Sequence, residues 1–179
     1  MNENETTALY LPRLRFHSVL DVTPEDVKAL GAKAVALDID NTICPDGKFI
    51  CIRGVKKWLK TFSDAGIPVT TVSNCTLPRM LPFFLFLRLP FVHLARKPKT
   101  KALLKAARKM DVDISELAMI GDGIFKDVLA ANKCGAIPVR IDPLPAKTTL
   151  YPHYYAKKQR EEEEYIKLHE KEFETIPYK

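Results

Sequence analysis

The sequence predicts an α/β fold of three layers, a mostly parallel central sheet with helices on both faces. Two observations predict it. Short apolar runs, Ala34–Leu37, Val69–Val72, Leu117–Ile120 and Ile137–Ile141, read as strands buried on both sides. Segments with apolar residues at helical spacing separate them, so successive strands are joined by helical crossovers of right-handed sense. A chain of 179 residues is long enough for one domain with a real core.

Local chemistry sets the elements in order. The first 15 residues are expected to form an irregular arm. Thr23-Pro24-Glu25-Asp26 supplies an N-cap, a proline at the first helical position and an acidic first turn, and Gly31 is the stop. The strand Ala34–Asp38 follows, then a loop containing Pro45, Asp46 and Gly47. Val55, Trp58, Leu59 and Phe62 fall on one helical face, and that helix ends at Gly66. Val69–Val72 is the next strand, and Phe91–Leu94 is a short one ending before Arg96-Lys97-Pro98. Leu103, Ala106, Ala107 and Met110 mark a further helix. Leu117–Ile120 is a strand ending at Gly121-Asp122; Phe125, Val128 and Leu129 open a helix that Gly135 closes, and Ile137–Ile141 is the last strand. These elements place a single domain over residues 1–155, with its core at about 24–142. Residues 156–179 read as a charged, solvent-facing helical tail, in which Lys157-Lys158-Gln159-Arg160 and Glu161–Glu164 can form i,i+4 pairs.

Composition narrows the function class. Apolar content of 46% and charged content of 28% are those of a soluble globular protein. No apolar run reaches membrane-spanning length, and the acidic, polar start is neither a signal peptide nor a transmembrane segment. Cys44, Cys51, Cys75 and Cys134 form no CxxC pair or zinc spacing, which suits reduced thiols in a cytoplasmic protein. The four scattered histidines are assigned surface or packing roles. A net charge of +6 suits an anionic partner. Nucleic acid is not expected, because no aromatic-basic signature of an RNA-binding module is present.

In open parallel sheets, ligands bind beyond the carboxyl ends of the strands. Those ends carry Asp38 and Asp40, Ser73 with Asn74, Lys97, and Asp122, with Asp127 on the helix that follows. Asp38 and Asp40 share one face of the extended chain. Buried carboxylates are costly unless paired, so two of them imply a cation or a reaction. Singly, each residue has a bland explanation: a capping acid, a turn serine, a surface lysine, a tight Gly-Asp-Gly turn. Together, at four successive strand ends, they give acid pair, hydroxyl, cation, acid pair, an order that suits phosphoryl chemistry.

These residues resemble the motifs of the haloacid-dehalogenase (HAD) superfamily. The D-x-D-x-T motif stands as Asp38-Ile39-Asp40-Asn41-Thr42, the second as Ser73 after an apolar strand, the third as Lys97, and the fourth as Gly121-Asp122 through Asp127. The resemblance covers about residues 33 to 141. Ser18-Val19, Thr23-Pro24-Glu25-Asp26 and Ala95-Arg96-Lys97-Pro98 look like the YqeG-type group, subfamily IIIA, related to phosphatidylglycerophosphate phosphatases. The resemblance implies a Rossmann-like fold and Mg²⁺-dependent hydrolysis through an aspartyl-phosphate. In it Asp38 is the nucleophile and Asp40 the general acid and base, while Ser73 and Lys97 hold the phosphoryl oxygens. The Asp38 and Asp122 carboxylates and the Asp40 carbonyl hold Mg²⁺, with Asp127 nearby. Asn41, Thr42 and Asn74 support them.

The spacing leaves room only for a short flap after Asp40 and for no folded cap between Ser73 and Lys97, so an open site is expected. Leu77–Leu87 is apolar almost all round. It reads either as a buried helix or as a surface on which Phe83, Phe84, Phe86 and Leu87 insert into lipid or seal a homodimer. Arg79 and Arg88 would then favour anionic headgroups. The substrate class this suggests is a large or membrane-bound phosphomonoester at the cytoplasmic membrane face. The alternatives are a soluble nucleotide, sugar phosphate or phosphoprotein, or a low-turnover phosphate-binding module.

Overall fold

The computed structural model describes residues 3–179. Six strands, β1 (Leu14–Phe16), β2 (Ala34–Leu37), β3 (Val69–Val72), β4 (Phe91–Val92), β5 (Leu117–Gly121) and β6 (Ile137–Ile141), form one sheet in the order β1-β6-β5-β2-β3-β4. Every pairing is parallel. The helices are α1 (Glu3–Ala8), α2 (Pro24–Ala29), α3 (Val55–Asp64), α4 (Leu77–Leu87), α5 (Lys101–Lys109), α6 (Leu129–Cys134), α7 (Pro152–Leu168) and α8 (Glu170–Glu174).

The alternation of strand residues builds two hydrophobic layers. Val35 and Leu37 of β2 pack with Trp58, Phe62 and Phe83 on one face of the sheet. Ala34 and Ala36 pack with Leu103, Ala106 and Ala130 on the other. Small residues on that second face let α5 and α6 approach closely. The helix start at Thr23 is as expected: its hydroxyl accepts from the Asp26 amide while the Asp26 carboxylate accepts from Thr23, a capping box with Pro24 inside it. No helix among the described residues is long and apolar enough to cross a membrane, and all four cysteines are free.

Two expectations are corrected. The amino-terminal arm is not irregular, since α1 is helical and β1 joins the sheet beside β6, burying Leu14 and Phe16. A three-residue strand with Arg15 at its centre is too short to show a period. The carboxyl-terminal segment is helical but not simply solvated. Phe173 is fully buried, and residues 177–179 run along the outer edge of β1, where Arg15 donates to the Pro177 carbonyl and accepts from the Lys179 amide. Its anchors are single residues scattered among charges, which a reading of charge runs passes over. The outward charges behave as expected, with Lys157 and Glu161 forming an exposed i,i+4 pair at 3.9 Å.

Candidate active site

The carboxyl ends of β2, β3 and β5 and the loop after β4 converge on a cavity of about 600 Å³. Asp38, the residue after β2, is buried at its floor. Its Oδ1 lies 2.6 Å from the Nζ of Lys97, which also lies 2.5 Å from Asp127 Oδ1. The lysine side chain is 2% exposed, so this is a buried charge with two counter-charges rather than a surface cation. Burial works against its charge, but the two aspartates outweigh it and the Lys97 pKa is raised.

Asn74 sets the lysine in place. Its Oδ1 accepts from the Lys97 amide at 2.7 Å, and its Nδ2 donates to the Lys97 carbonyl at 3.3 Å. Ser73 is fully buried, and its hydroxyl oxygen accepts from the Cys75 amide at 3.2 Å. Asn41 adopts a left-handed backbone (φ 59°), which asparagine tolerates. Its side chain accepts from the Asp46 amide, so the flap after Asp40 folds back over the site.

Asp122 begins the loop after β5, and Thr42 Oγ1 donates to its Oδ1 at 3.3 Å. Asp127 returns beneath it because Ile124–Val128 forms a wide π-type turn, with the Asp127 and Val128 amides both reaching the Gly123 carbonyl. The glycine before Asp122 is a steric requirement. A Cβ on Gly121 would sit 2.5 Å from the Asp127 carboxyl carbon.

Asp38, Asp122 and Asp127 each offer an oxygen, all within 4.8 Å of one another. Burial, then the partly offsetting Lys97, then the neighbouring acids set the Asp38 carboxyl, whose pKa rises to about 7. Burial, then Asp127, Asp38 and Glu162, push Asp122 well above the usual carboxylate range. This hard-oxygen set carries more negative charge than Lys97 offsets, so it fits a divalent cation of the Mg²⁺ kind.

Asp40 stands at the mouth of the cavity in different company. Its Oδ1 accepts from Arg79 at 2.5 Å and its Oδ2 from the Cys75 thiol at 2.8 Å. Arg79 also donates to the Cys75 sulfur at 3.2 Å, and its guanidinium lies over the Phe49 and Phe83 rings. Burial and the adjacent carboxylate raise the Cys75 pKa to about 11, so it stays a thiol donor.

The HAD-hydrolase-like family model matches residues 94–140. Probable phosphatase YqeG of Bacillus subtilis (strain 168) is 31% identical over 135 residues, covering 75% of this chain and 78% of that protein. The chain belongs to the HAD hydrolases, among the YqeG-type phosphatases. Among solved structures, a HAD family hydrolase from Streptomyces avermitilis shares the fold, with 21% identity, a TM-score of 0.50, and coverage of 66% of this chain and 69% of that one. A hydrolase from Pseudomonas syringae matches at 25% identity and a TM-score of 0.46, over 51% of this chain and 47% of that longer one.

Most of the polar residues expected at the site of this HAD phosphatase line the cavity: Asp38, Asp40, Asn41, Ser73, Asn74, Lys97 and Asp122. Thr42 and Asp127 lie behind them and act on Asp122 and Lys97. Three features were not foreseen. Arg79 turns inward to Asp40 instead of outward toward headgroups; its signal was being the one charged residue within Leu77–Leu87. Lys126 also lines the cavity, its pKa raised as the nearby acids outweigh burial. Lastly, α7 supplies a wall through Tyr155, Lys158, Gln159 and Glu162, so the site is not open on that side, although no folded cap is inserted among the described residues. Glu162 ties this wall to the Asp122 loop by accepting from the Ile124 amide at 3.1 Å. Phe83 and Leu87 are not surface residues either. They are buried in the core with Met80, while Phe84 and Phe86 remain exposed.

Proposed function

We propose that this phosphatase works through an aspartyl-phosphate on Asp38 and requires Mg²⁺. The observation that carries this reading is the Asp38–Lys97–Asp127 triad with the Asp122 oxygen beside it. Asp38 Oδ attacks phosphorus, the bond to the leaving oxygen breaks, and Asp40 gives that oxygen a proton. Asp40 then takes a proton from water, whose oxygen attacks the same phosphorus, so inorganic phosphate leaves and Asp38 is restored. Ser73 and Lys97 bind phosphoryl oxygens, and Lys97 offsets the charge that builds on them. Mg²⁺ would be held by the Asp38 and Asp122 carboxylates and the Asp40 carbonyl, where it would neutralise phosphoryl charge. Asp127 keeps Lys97 aimed at Asp38.

The substrate we assign is phosphatidylglycerophosphate or another large, membrane-bound phosphomonoester, met at the cytoplasmic membrane face, in keeping with subfamily IIIA. A net charge of +6 and the exposed apolar side chains Phe84 and Leu85 of α4 support it. The α7 wall favours a second reading, a soluble phosphate ester small enough for a cavity of about 600 Å³.

Phosphate release from phosphatidylglycerophosphate in mixed micelles, beside a panel of soluble esters, decides between them. Each is measured with Mg²⁺ or EDTA, for wild type and Asp38→Asn. Mg²⁺-dependent release from the lipid alone, lost in Asp38→Asn, supports the lipid assignment. Release from soluble esters alone keeps the chemistry and discards the lipid. Release that survives Asp38→Asn overturns the mechanism.

A further inference from the structure

The strand ends that hold the acids lie near the middle of the sheet, whereas β4 closes it on one side. Among the described residues no backbone hydrogen bond reaches the outer side of β4, in contrast to β1, whose outer side is covered by residues 177–179. Two surfaces of different chemistry meet at this bare edge.

On one side is α4. Met80, Phe83 and Leu87 face the core, which leaves Leu77, Leu81, Phe84 and Leu85 on the opposite face. All four are exposed, Leu85 by 73%. Arg88 ends the same stripe in a left-handed cap. Four large apolar side chains in one stripe are not the scattered exposure usual on a soluble surface.

On the other side, the loop from β4 to α5 lines a second cavity of about 710 Å³. Its cations are Arg96, Lys99, Lys101, Lys105 and Lys133, and no carboxylate lines it. None of the five forms an ion pair among the described residues, unlike Lys97 in the same loop. Leu94, 48% exposed, projects among them. The two sides are continuous through aromatic contacts: Phe84 packs edge-on against Phe91 at 5.6 Å, and Phe91 lies 6.0 Å from His93, which lines the cavity.

We propose that this β4 edge is a docking face for an anionic lipid bilayer. Leu81, Phe84, Leu85 and Leu94 enter the interface while the unpaired cations meet the headgroups. Charge complementarity selects the lipid. Nucleic acid would match the cations but leave the leucine stripe in water, and an apolar protein groove would match the stripe but leave the cations unpaired. Apolar insertion together with a basic cluster is the pairing that holds a protein at an anionic interface. The docking loop is the one whose Lys97 enters the active site, so lipid contact and phosphoryl binding lie on opposite sides of one short segment. The inference deepens the membrane-substrate reading, yet it can fail alone.

Co-sedimentation with vesicles of phosphatidylglycerol and phosphatidylcholine, against vesicles of phosphatidylcholine alone, tests it. Two variants are used, Phe84→Ser/Leu85→Ser and Lys101→Glu/Lys105→Glu/Lys133→Glu, none of whose residues lines the active-site cavity. Wild type is expected to bind only the anionic vesicles and to be released by salt. The charge reversals should lower partitioning by more than about a hundredfold, and the serine pair by about tenfold or more. Both variants should keep wild-type melting temperatures and hydrolysis of a soluble ester. Absent or equal binding to anionic vesicles overturns the docking face, as does a concentration-dependent dimer that the serine pair abolishes. Soluble-ester activity reports separately on the catalytic reading, so loss of one does not mask the other.

Discussion

Asp38 and Asp40 are two residues apart on one strand end, yet the protein treats them as different chemical objects. Asp38 is buried against Lys97, with two more carboxylates close by, and its pKa is pushed up to about 7. Asp40 sits half-buried at the cavity mouth, both oxygens held by Arg79 and Cys75. The first arrangement concentrates charge that a cation and a phosphoryl group can use. The second fixes the direction of a carboxyl that, in the proposed mechanism, faces a leaving oxygen and then a water. Identical side chains acquire two environments because one lies buried beside Lys97 and the other is half-buried beside Arg79 and Cys75.

Breaking the buried half has the largest expected effect. Asp38→Asn should lower kcat by at least about a thousandfold, because a neutral amide is too weak a nucleophile to form the acyl phosphate. Steady-state hydrolysis of a soluble ester, with circular dichroism to confirm folding, checks this. Lys97→Met should abolish activity too and also destabilise the fold by about 3–5 kcal/mol, since it strands buried carboxylates. Chemical denaturation measures that loss.

The same crowding of acids predicts an uncommon pH dependence. In the metal-free protein the Asp38 and Asp122 pKa values lie above those of the unfolded chain, so the folded state holds more protons between the two. Their contribution to stability is then full below about pH 4 and falls as pH rises toward about 7, by linkage. Mg²⁺ should remove most of this slope. Melting temperatures at pH 5.5 and 8 in EDTA and in Mg²⁺ test it, and an EDTA curve no steeper than the Mg²⁺ curve would contradict the charge-crowding account.

How much of this was legible in the sequence depends on the length scale of each signal. The apolar strands, the helical stripes and the polar residues at strand ends are local patterns, and they suffice for every strand of the sheet but β1, for the Thr23 cap and for the gathering of Asp38, Ser73, Lys97 and Asp122. Gly121 was readable as a turn, but its reason, the Asp127 carboxyl 2.5 Å from where a Cβ would stand, is a contact between a strand end and a later turn. The α7 wall was hidden for a related cause. Glu162 belongs to a run of four glutamates, and nothing in that run distinguishes the one that meets the Ile124 amide from its exposed neighbours. Phe83 and Phe84 show the same limit: adjacent in an all-apolar helix, one is buried and the other exposed, and only packing separates them.

The rim offers the smallest and most selective effect. If Arg79 does no more than fix the orientation of Asp40, Arg79→Gln should leave Asp38 chemistry intact and damage only proton delivery. An ester with a good leaving group, such as p-nitrophenyl phosphate, needs little protonation and should lose only a few-fold in kcat. An alkyl phosphate depends on the proton and should lose about a hundredfold or more, within the usual span of general acid catalysis. Asp40→Asn should show the same dependence on leaving group, more steeply. Arg79→Lys should restore part of the alkyl-ester rate, as a single cation can hold one oxygen but not reproduce the guanidinium's placement over the Phe49 and Phe83 rings. Equal losses on both esters would mean that Arg79 contacts the transferred phosphoryl group itself. The contrast between a charge-bearing floor and an orienting rim would then have to be redrawn with Arg79 on the floor.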